Sequence, residues 1–161
     1  MSIQVLITGG TIAKRYDEIS GNIVFDSDYF SKMFEQARCN VSVDVETLML
    51  KDSLDMDDVD REIIYQSVQS CEPSKVIITH GTDTMVETAQ KLSSIKDKKI
   101  ILTGAMIPYA FKNSDALFNL GTAFGAIGCL DNGVYLAMNG EIFIWDNVKK
   151  DKSEGVFVSI S

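Results

Sequence analysis

Five apolar, β-branched runs, at residues 3–8, 41–49, 76–79, 100–103 and 134–138, alternate with segments long enough for helices, and that alternation leaves few architectures open. Neighbouring parallel strands need crossover connections, right-handed ones prevail, and a sheet built this way is covered by helices on both faces. The sequence therefore predicts a doubly wound α/β fold: a three-layer, Rossmann-like or flavodoxin-like domain with a mostly parallel sheet. Ser27 or Asp28 is placed to cap a helix that runs to about residue 38 and turns Tyr29, Phe30, Met33, Phe34 and Ala37 inward. Asp55 is placed to cap a second, whose first turn carries Asp57, Asp58, Asp60 and Glu62 and which continues to about Cys71, where Pro73 stops it. A third helix is expected over 83–95 and a fourth over 114–128, with Ala116, Leu117, Leu120 and Ala123 facing the core. Two stretches break the alternation. Residues 13–26 are polar, contain Gly21 and read as a mobile hairpin or lid; the tail from Asn139 carries short strand signals at 141–145 and 156–160.

The 161 residues, 45% of them hydrophobic, suffice to bury one full core, so residues 1–161 are read as a single domain. A net charge of −8, from 15 basic against 23 acidic residues, argues against nucleic-acid or anionic-membrane partners, both of which reward clustered Lys and Arg. Only 96–99 and 149–152 cluster basic residues at all, and both runs include Asp. Cys39, Cys71 and Cys129 are odd in number and widely spaced, which predicts reduced, semi-buried core thiols rather than a zinc or redox site. One histidine and scattered cysteines leave too few soft ligands for a metal, and no organic cofactor is expected. The chain enters a strand by Ile3 with no leader-like segment, so cytoplasmic residence is expected, and no stretch approaches the ~20 apolar residues of a membrane span.

The chemistry-bearing residues sit where strands end. Val5 to Ile7 and Val76 to Ile78 each run into a glycine-containing turn, one presenting Thr11 and the other Thr82 and Asp83. Parallel sheets bind ligands at such turns, because glycine lets the backbone approach closely and freed N–H groups favour negative charge. A hydroxyl there can meet a carbonyl whose oxygen those N–H groups stabilise. Threonine is a poor nucleophile until a base takes its proton, so Thr11 alone is equally well read as a turn cap. His80, the single histidine, is read as a structural group bonded to neighbouring backbone.

Thr-Gly-Gly-Thr-Ile-Ala at 8–13 and His-Gly-Thr-Asp-Thr-Met-Val-Glu-Thr-Ala at 80–89 resemble the two signatures of the bacterial-type L-asparaginase family. Asp-Ser-Leu-Asp-Met at 52–56 resembles the family's substrate-binding turn, and Leu-Thr-Gly-Ala-Met-Ile-Pro at 102–108, followed by Ser114, Asp115 and Asn119, resembles the stretch after its fourth strand. The resemblance covers the family's N-terminal domain, and a short, single-domain form without the usual smaller C-terminal domain is expected. It implies hydrolysis of the asparagine side-chain amide through an acyl-enzyme, with Thr11 as nucleophile and Tyr16 as the lid tyrosine that polarises it. Tyr29 is the fallback, although it reads better as helix core. The resemblance further implies a second catalytic group of Thr82, Asp83 and Lys150, and substrate contacts from Ser53, Asp83 and Ala105. Lys150 is equally readable as a solvated charge, and Ser53 as a turn residue before a helix. Leu54 stands where many members carry a polar residue. The expected ligand is asparagine or aspartate, and a homodimer or higher oligomer is expected because a small domain with an open site edge gains by pairing. Two other functions stay open: an amidohydrolase or amidotransferase subunit acting on another small amide, and a non-catalytic amino-acid sensor or interaction domain. All of these site readings require the two threonine turns to meet in one hollow.

Overall fold

The computed structural model describes residues 2–161. Its centre is a six-stranded sheet in the order β4-β1-β5-β6-β7-β8, where β1 is Ile3–Gly9, β4 Val43–Lys51, β5 Lys75–Thr79, β6 Lys99–Thr103, β7 Gly133–Met138 and β8 Glu141–Ile144. The first five run parallel and β8 is antiparallel to β7. Four helices cover it: α1 (Tyr29–Gln36), α2 (Asp58–Ser70), α3 (Met85–Leu92) and α4 (Ala116–Ala126). Two small antiparallel hairpins stand apart, β2 (Lys14–Asp17) with β3 (Asn22–Phe25), and β9 (Lys149–Asp151) with β10 (Val156–Val158). The expected doubly wound α/β architecture is the observed one.

The inner strands β1, β5, β6 and β7 read as mostly apolar runs because both faces are buried, whereas the edge strand β4 is nowhere fully buried and carries Asp44 and Glu46. Ile3, Val5, Ile7, Ile77 and Ile101 pack with α1 and α4 residues such as Phe30, Met33 and Leu120. The intervening Leu6, Ile78, Ile100 and Leu102 pack with Ile64, Val68, Met85 and Leu92 of α2 and α3. Successive side chains of one strand thus serve opposite layers, as the period of two requires.

The helices differ from expectation in several details, among them shorter ends for α3 and α4 than the expected 83–95 and 114–128. Asp57, not Asp55, caps α2: its side chain accepts from the Asp60 N–H, and the Asp60 carboxylate accepts from the Asp57 N–H. Asp55 instead ends a short 3-10 turn, Ser53–Asp55. The third helix starts at Met85 rather than Asp83, because Thr84 is engaged with Ser53. Ala37, just past the end of α1, is exposed rather than inward-facing. Cys39 and Cys71 are partly buried as expected, but Cys129 lies exposed just beyond α4, so it is no core thiol. Among the described residues no helix is long and apolar enough to cross a membrane.

The strand order fixes where a ligand can meet the chain. After β1 the polypeptide crosses to β4 on one side, then returns to β5 on the other. The sheet therefore reverses direction of growth around β1, and the crevice beyond the carboxyl ends of β1 and β5 is the switch point at which open α/β sheets bind ligands. The turns after β1 and β5 are those carrying Thr11 and Thr82.

Candidate active site

Three turns interlock at the switch point. Gly9 and Gly10 have φ of 104° and 78°, a region L side chains rarely adopt, and a Cβ on Gly10 would lie 2.4 Å from the Gly81 nitrogen. A Cβ on Gly81 would in turn lie 2.6 Å from the Ser53 Cβ. Backbone thus packs against backbone, bringing the turns after β1, β4 and β5 together, with Thr11 and Thr82 immediately following the two touching glycines. Beneath them, Ile7 and Thr79 are paired across the sheet. The Thr8 hydroxyl donates to the Thr79 carbonyl at 2.7 Å, and the Tyr29 hydroxyl shares a 2.6 Å hydrogen bond with the Thr79 hydroxyl.

Lys150 closes the arrangement from the β9–β10 hairpin. Its Nζ donates to Thr82 Oγ1 at 2.7 Å and to Asp83 Oδ1 at 2.9 Å, and its side chain is only 12% exposed. A charge this well enclosed and paired is not a solvated surface lysine. Thr82 is buried and the Asp83 carboxylate remains 36% exposed, so one face of the group is open to an incoming molecule.

Ser53 is buried; its Oγ accepts from the Thr84 N–H at 3.2 Å while Thr84 Oγ1 donates to the Ser53 carbonyl at 2.9 Å. The turn role and a substrate role are compatible here, since the Ser53 hydroxyl proton is left to donate. Thr11 opens a short 3-10 turn, Thr11–Ala13, and is half-buried. Tyr16 lies on β2 opposite Ile23 and is 54% exposed. Ala105, just after β6, is buried in the layer that includes α1 and α4 residues. Tyr29 is buried core, and burial pushes its hydroxyl well above the ordinary tyrosine value. Leu54 projects outward, highly exposed, beside Ser53.

Several contacts support the site, of which the Lys14–Asp52 pair carries no obvious signal in the sequence. Lys14 pairs with Asp52 at 2.5 Å, fastening the start of the β2–β3 hairpin to the Ser53 turn. The Asp115 carboxylate accepts from the Met106 and Ile107 N–H groups, and the Asn119 amide donates to the Gly104 carbonyl and to Asp115. A hollow of about 470 Å³ between α2 and α3, lined by Asp58, Arg61, Glu87, Gln90 and Lys91, contains none of the residues above. Among the described residues no three His, Cys, Asp or Glu side chains converge as a metal-binding group.

His80 is completely buried; its Nδ1–H donates to the Gly81 carbonyl at 2.7 Å, and its Nε2 accepts from the Thr88 hydroxyl at 2.8 Å. This fixes the neutral tautomer, and burial lowers its pKa from 6.5 to about 4. Below pH 6.5 the unfolded chain takes up a proton that the folded chain refuses, so the stability this histidine supplies is whole above 6.5 and drains away toward pH 4. Urea titrations between pH 7 and 4 are expected to register a loss of roughly 3 kcal/mol from this residue. His80→Gln should lack that step. Asp60, held below its ordinary value of 3.8 chiefly by Lys51, loses its share only at still lower pH, so the two effects separate.

A family model described as "Asparaginase, N-terminal" matches residues 2–158. The L-asparaginase of Thermococcus kodakarensis is 32% identical over 162 residues, covering 97% of this chain and 49% of the relative. A glutamyl-tRNA(Gln) amidotransferase subunit of Methanococcus vannielii is 30% identical over 169 residues, covering 98% of this chain and 38% of that protein. The solved thermostable L-asparaginase from Thermococcus kodakarensis superposes with a TM-score of 0.88 at 31% identity, over 99% of this chain and 51% of the other. The chain thus spans about half the length of the asparaginases it matches.

Proposed function

This chain belongs to the asparaginase family, matching its N-terminal domain over residues 2–158, and on that premise we propose that it hydrolyses the side-chain amide of L-asparagine to aspartate and ammonia. The observation that carries the proposal is the Lys150 ammonium bridging Thr82 and Asp83 directly beside the Gly10–Gly81 contact. In this reading the Thr11 hydroxyl attacks the amide carbon, its proton passes toward the departing nitrogen, and ammonia leaves behind an ester on Thr11. Water activated through the Thr82–Lys150 pair then breaks that ester, restoring the hydroxyl and releasing aspartate. Main-chain N–H groups of the two glycine turns are the donors for the oxyanion formed in each step. Ser53 and the free side of Asp83 would hold the substrate's α-carboxylate and α-ammonium. Tyr16, on the β2–β3 hairpin, would be the tyrosine that polarises Thr11.

The reading brings with it a cytoplasmic, self-associating protein. The reduced cysteines support the first part, and the exposed Phe118 and Ile144 beside the free edge of β8 support the second. The purified chain is expected to release ammonia and aspartate in equal amounts from L-asparagine, and Thr11→Ala to lower that rate on the order of 10³-fold. Binding of asparagine with no ammonia from the wild-type chain would sink the hydrolase reading in favour of an amino-acid sensor. The amidotransferase relative supports a second reading, in which ammonia from an amide is passed to a partner protein. Ammonia release from glutamine but not asparagine would favour it.

A further inference from the structure

The β9–β10 hairpin is not part of the main sheet, yet it delivers the ammonium that joins Thr82 to Asp83. Among the described residues, only one other hydrogen bond fastens residues 149–158 to the rest of the chain: the Phe157 N–H donates to Asn139 Oδ1 at 2.8 Å. Phe157 stands directly across from Lys150 in the hairpin register. The Asn139 side chain therefore grips the strand partner of Lys150.

Asn139 is itself fixed from two directions. With Gly140 it forms the two-residue turn between β7 and β8, at φ of 56° and 77°, and its N–H donates to Asn119 Oδ1 at 3.1 Å. Asn119 is fully buried, and its amide nitrogen donates to the Gly104 carbonyl at 2.9 Å and to Asp115 at 3.1 Å. An unbroken chain of hydrogen bonds thus leads from the end of β6 through α4 and the β7–β8 turn to Phe157. Every polar atom of the Asn119 amide is used, and buried networks satisfied in this way are rigid.

The geometry points to Asn139 as a positioning residue for the hydrolysis proposed above: with Asn119 behind it, it sets the height of the β9–β10 hairpin so that Lys150 Nζ meets Thr82 and Asp83. The inference rests on that functional reading for its kinetic readout, but not for its structural one. Apolar packing of Phe157 and Val148 holds the hairpin to the α2–α3 layer, and packing alone tolerates sliding in a way that a directional hydrogen bond does not.

Two substitutions separate the roles of this residue. Asn139→Gly keeps a backbone suited to positive φ and deletes the acceptor; Asn139→Asp keeps both. The glycine variant is expected to lose about tenfold in kcat for ammonia release from L-asparagine with KM nearly unchanged, since a small displacement of Lys150 weakens the chemistry more than binding. The aspartate variant should stay within about threefold of wild type. In a Lys150→Met background Asn139→Gly should do nothing further, because the group it positions is gone. Hydrogen exchange across 149–158 should quicken in the glycine variant and not in the aspartate one, and a crystal structure of the glycine variant should show Lys150 Nζ beyond hydrogen-bond reach of Thr82. A wild-type kcat in Asn139→Gly, or an undiminished tenfold loss on top of Lys150→Met, overturns the inference. Should the wild-type chain release no ammonia at all, the functional reading fails instead, and the exchange and crystallographic results decide the positioning role on their own.

Discussion

Lys150→Met is expected to cut ammonia release from L-asparagine on the order of 10³-fold while leaving the fold intact. The methionine preserves the length and much of the bulk of the side chain but carries no proton to exchange. No buried charge is left unpaired by the change, because Asp83 is 36% exposed and can turn to water. Loss of the lysine hydrogen bond to Thr82 costs about 1 kcal/mol of stability, far too little to unfold the chain at 25 °C. Activity and stability should therefore part company, and that separation is the measurement: steady-state kinetics beside a urea melt of the same preparation. Near-wild-type turnover in Lys150→Met would remove Thr82–Lys150–Asp83 from the mechanism.

Gly10→Ala is expected to destabilise the chain by about 3 kcal/mol or more, enough to leave little soluble protein. Two penalties add. Alanine at φ 78° and ψ 178° is forced into a region essentially confined to glycine, at a cost of about 1–3 kcal/mol, and its methyl would lie 2.4 Å and 2.6 Å from the Gly81 nitrogen and Cα. The obstacle is main chain anchored at the end of β5, so nothing can rotate out of the way. Gly21 provides the control. Its φ is 72°, yet a Cβ there would meet nothing within 4 Å, so Gly21→Ala should lose only a dihedral share. Urea unfolding of both variants should show the clearly larger loss at Gly10, where the steric clash is added. Equal costs at the two positions would mean that the turns after β1 and β5 are not in contact, and the candidate site would dissolve with that contact.

The inner parallel strands were legible because they are buried on both faces and show it as mostly apolar, β-branched runs; β4, at the edge, was legible from its alternation of Val with Asp and Glu. The site's two glycine turns were legible for a related reason: they are the ends of those runs. Helix starts were harder. Asp55 and Asp57 are equally good caps, and each has an aspartate three residues on, so local spacing had no means to choose. The choice falls to Asp57 because Ser53–Asp55 is drawn into a turn against Thr84, 31 residues later. The late start of α3 has the same origin. Lys150 lies 68 residues from Thr82, on a strand of three residues too short and too charged to announce itself. The Asn139–Gly140 turn does carry a signal, since Asn-Gly between apolar runs is a strong mark of a two-residue hairpin, and it implies the antiparallel β8. Tyr16 and Ala105 were named through the resemblance alone, since an exposed tyrosine on a short hairpin and a small buried residue after a strand have no pattern of their own.

The seating of β1 between β4 and β5, with Ile3, Val5 and Ile7 committed to one layer and Leu6 to the other, has a bearing on how such a chain can change over time. A slip of one residue would send each of those side chains to the wrong compartment, so insertions or deletions ahead of Thr11 are closed to it. The tip of the hairpin bearing Lys150, the exposed residues 152–154, is under no such restraint and is free to lengthen or shorten while Lys150 and Phe157 stay seated. New specificities in a scaffold of this kind would enter from its far end, while the opening bend stays where the central strand has put it.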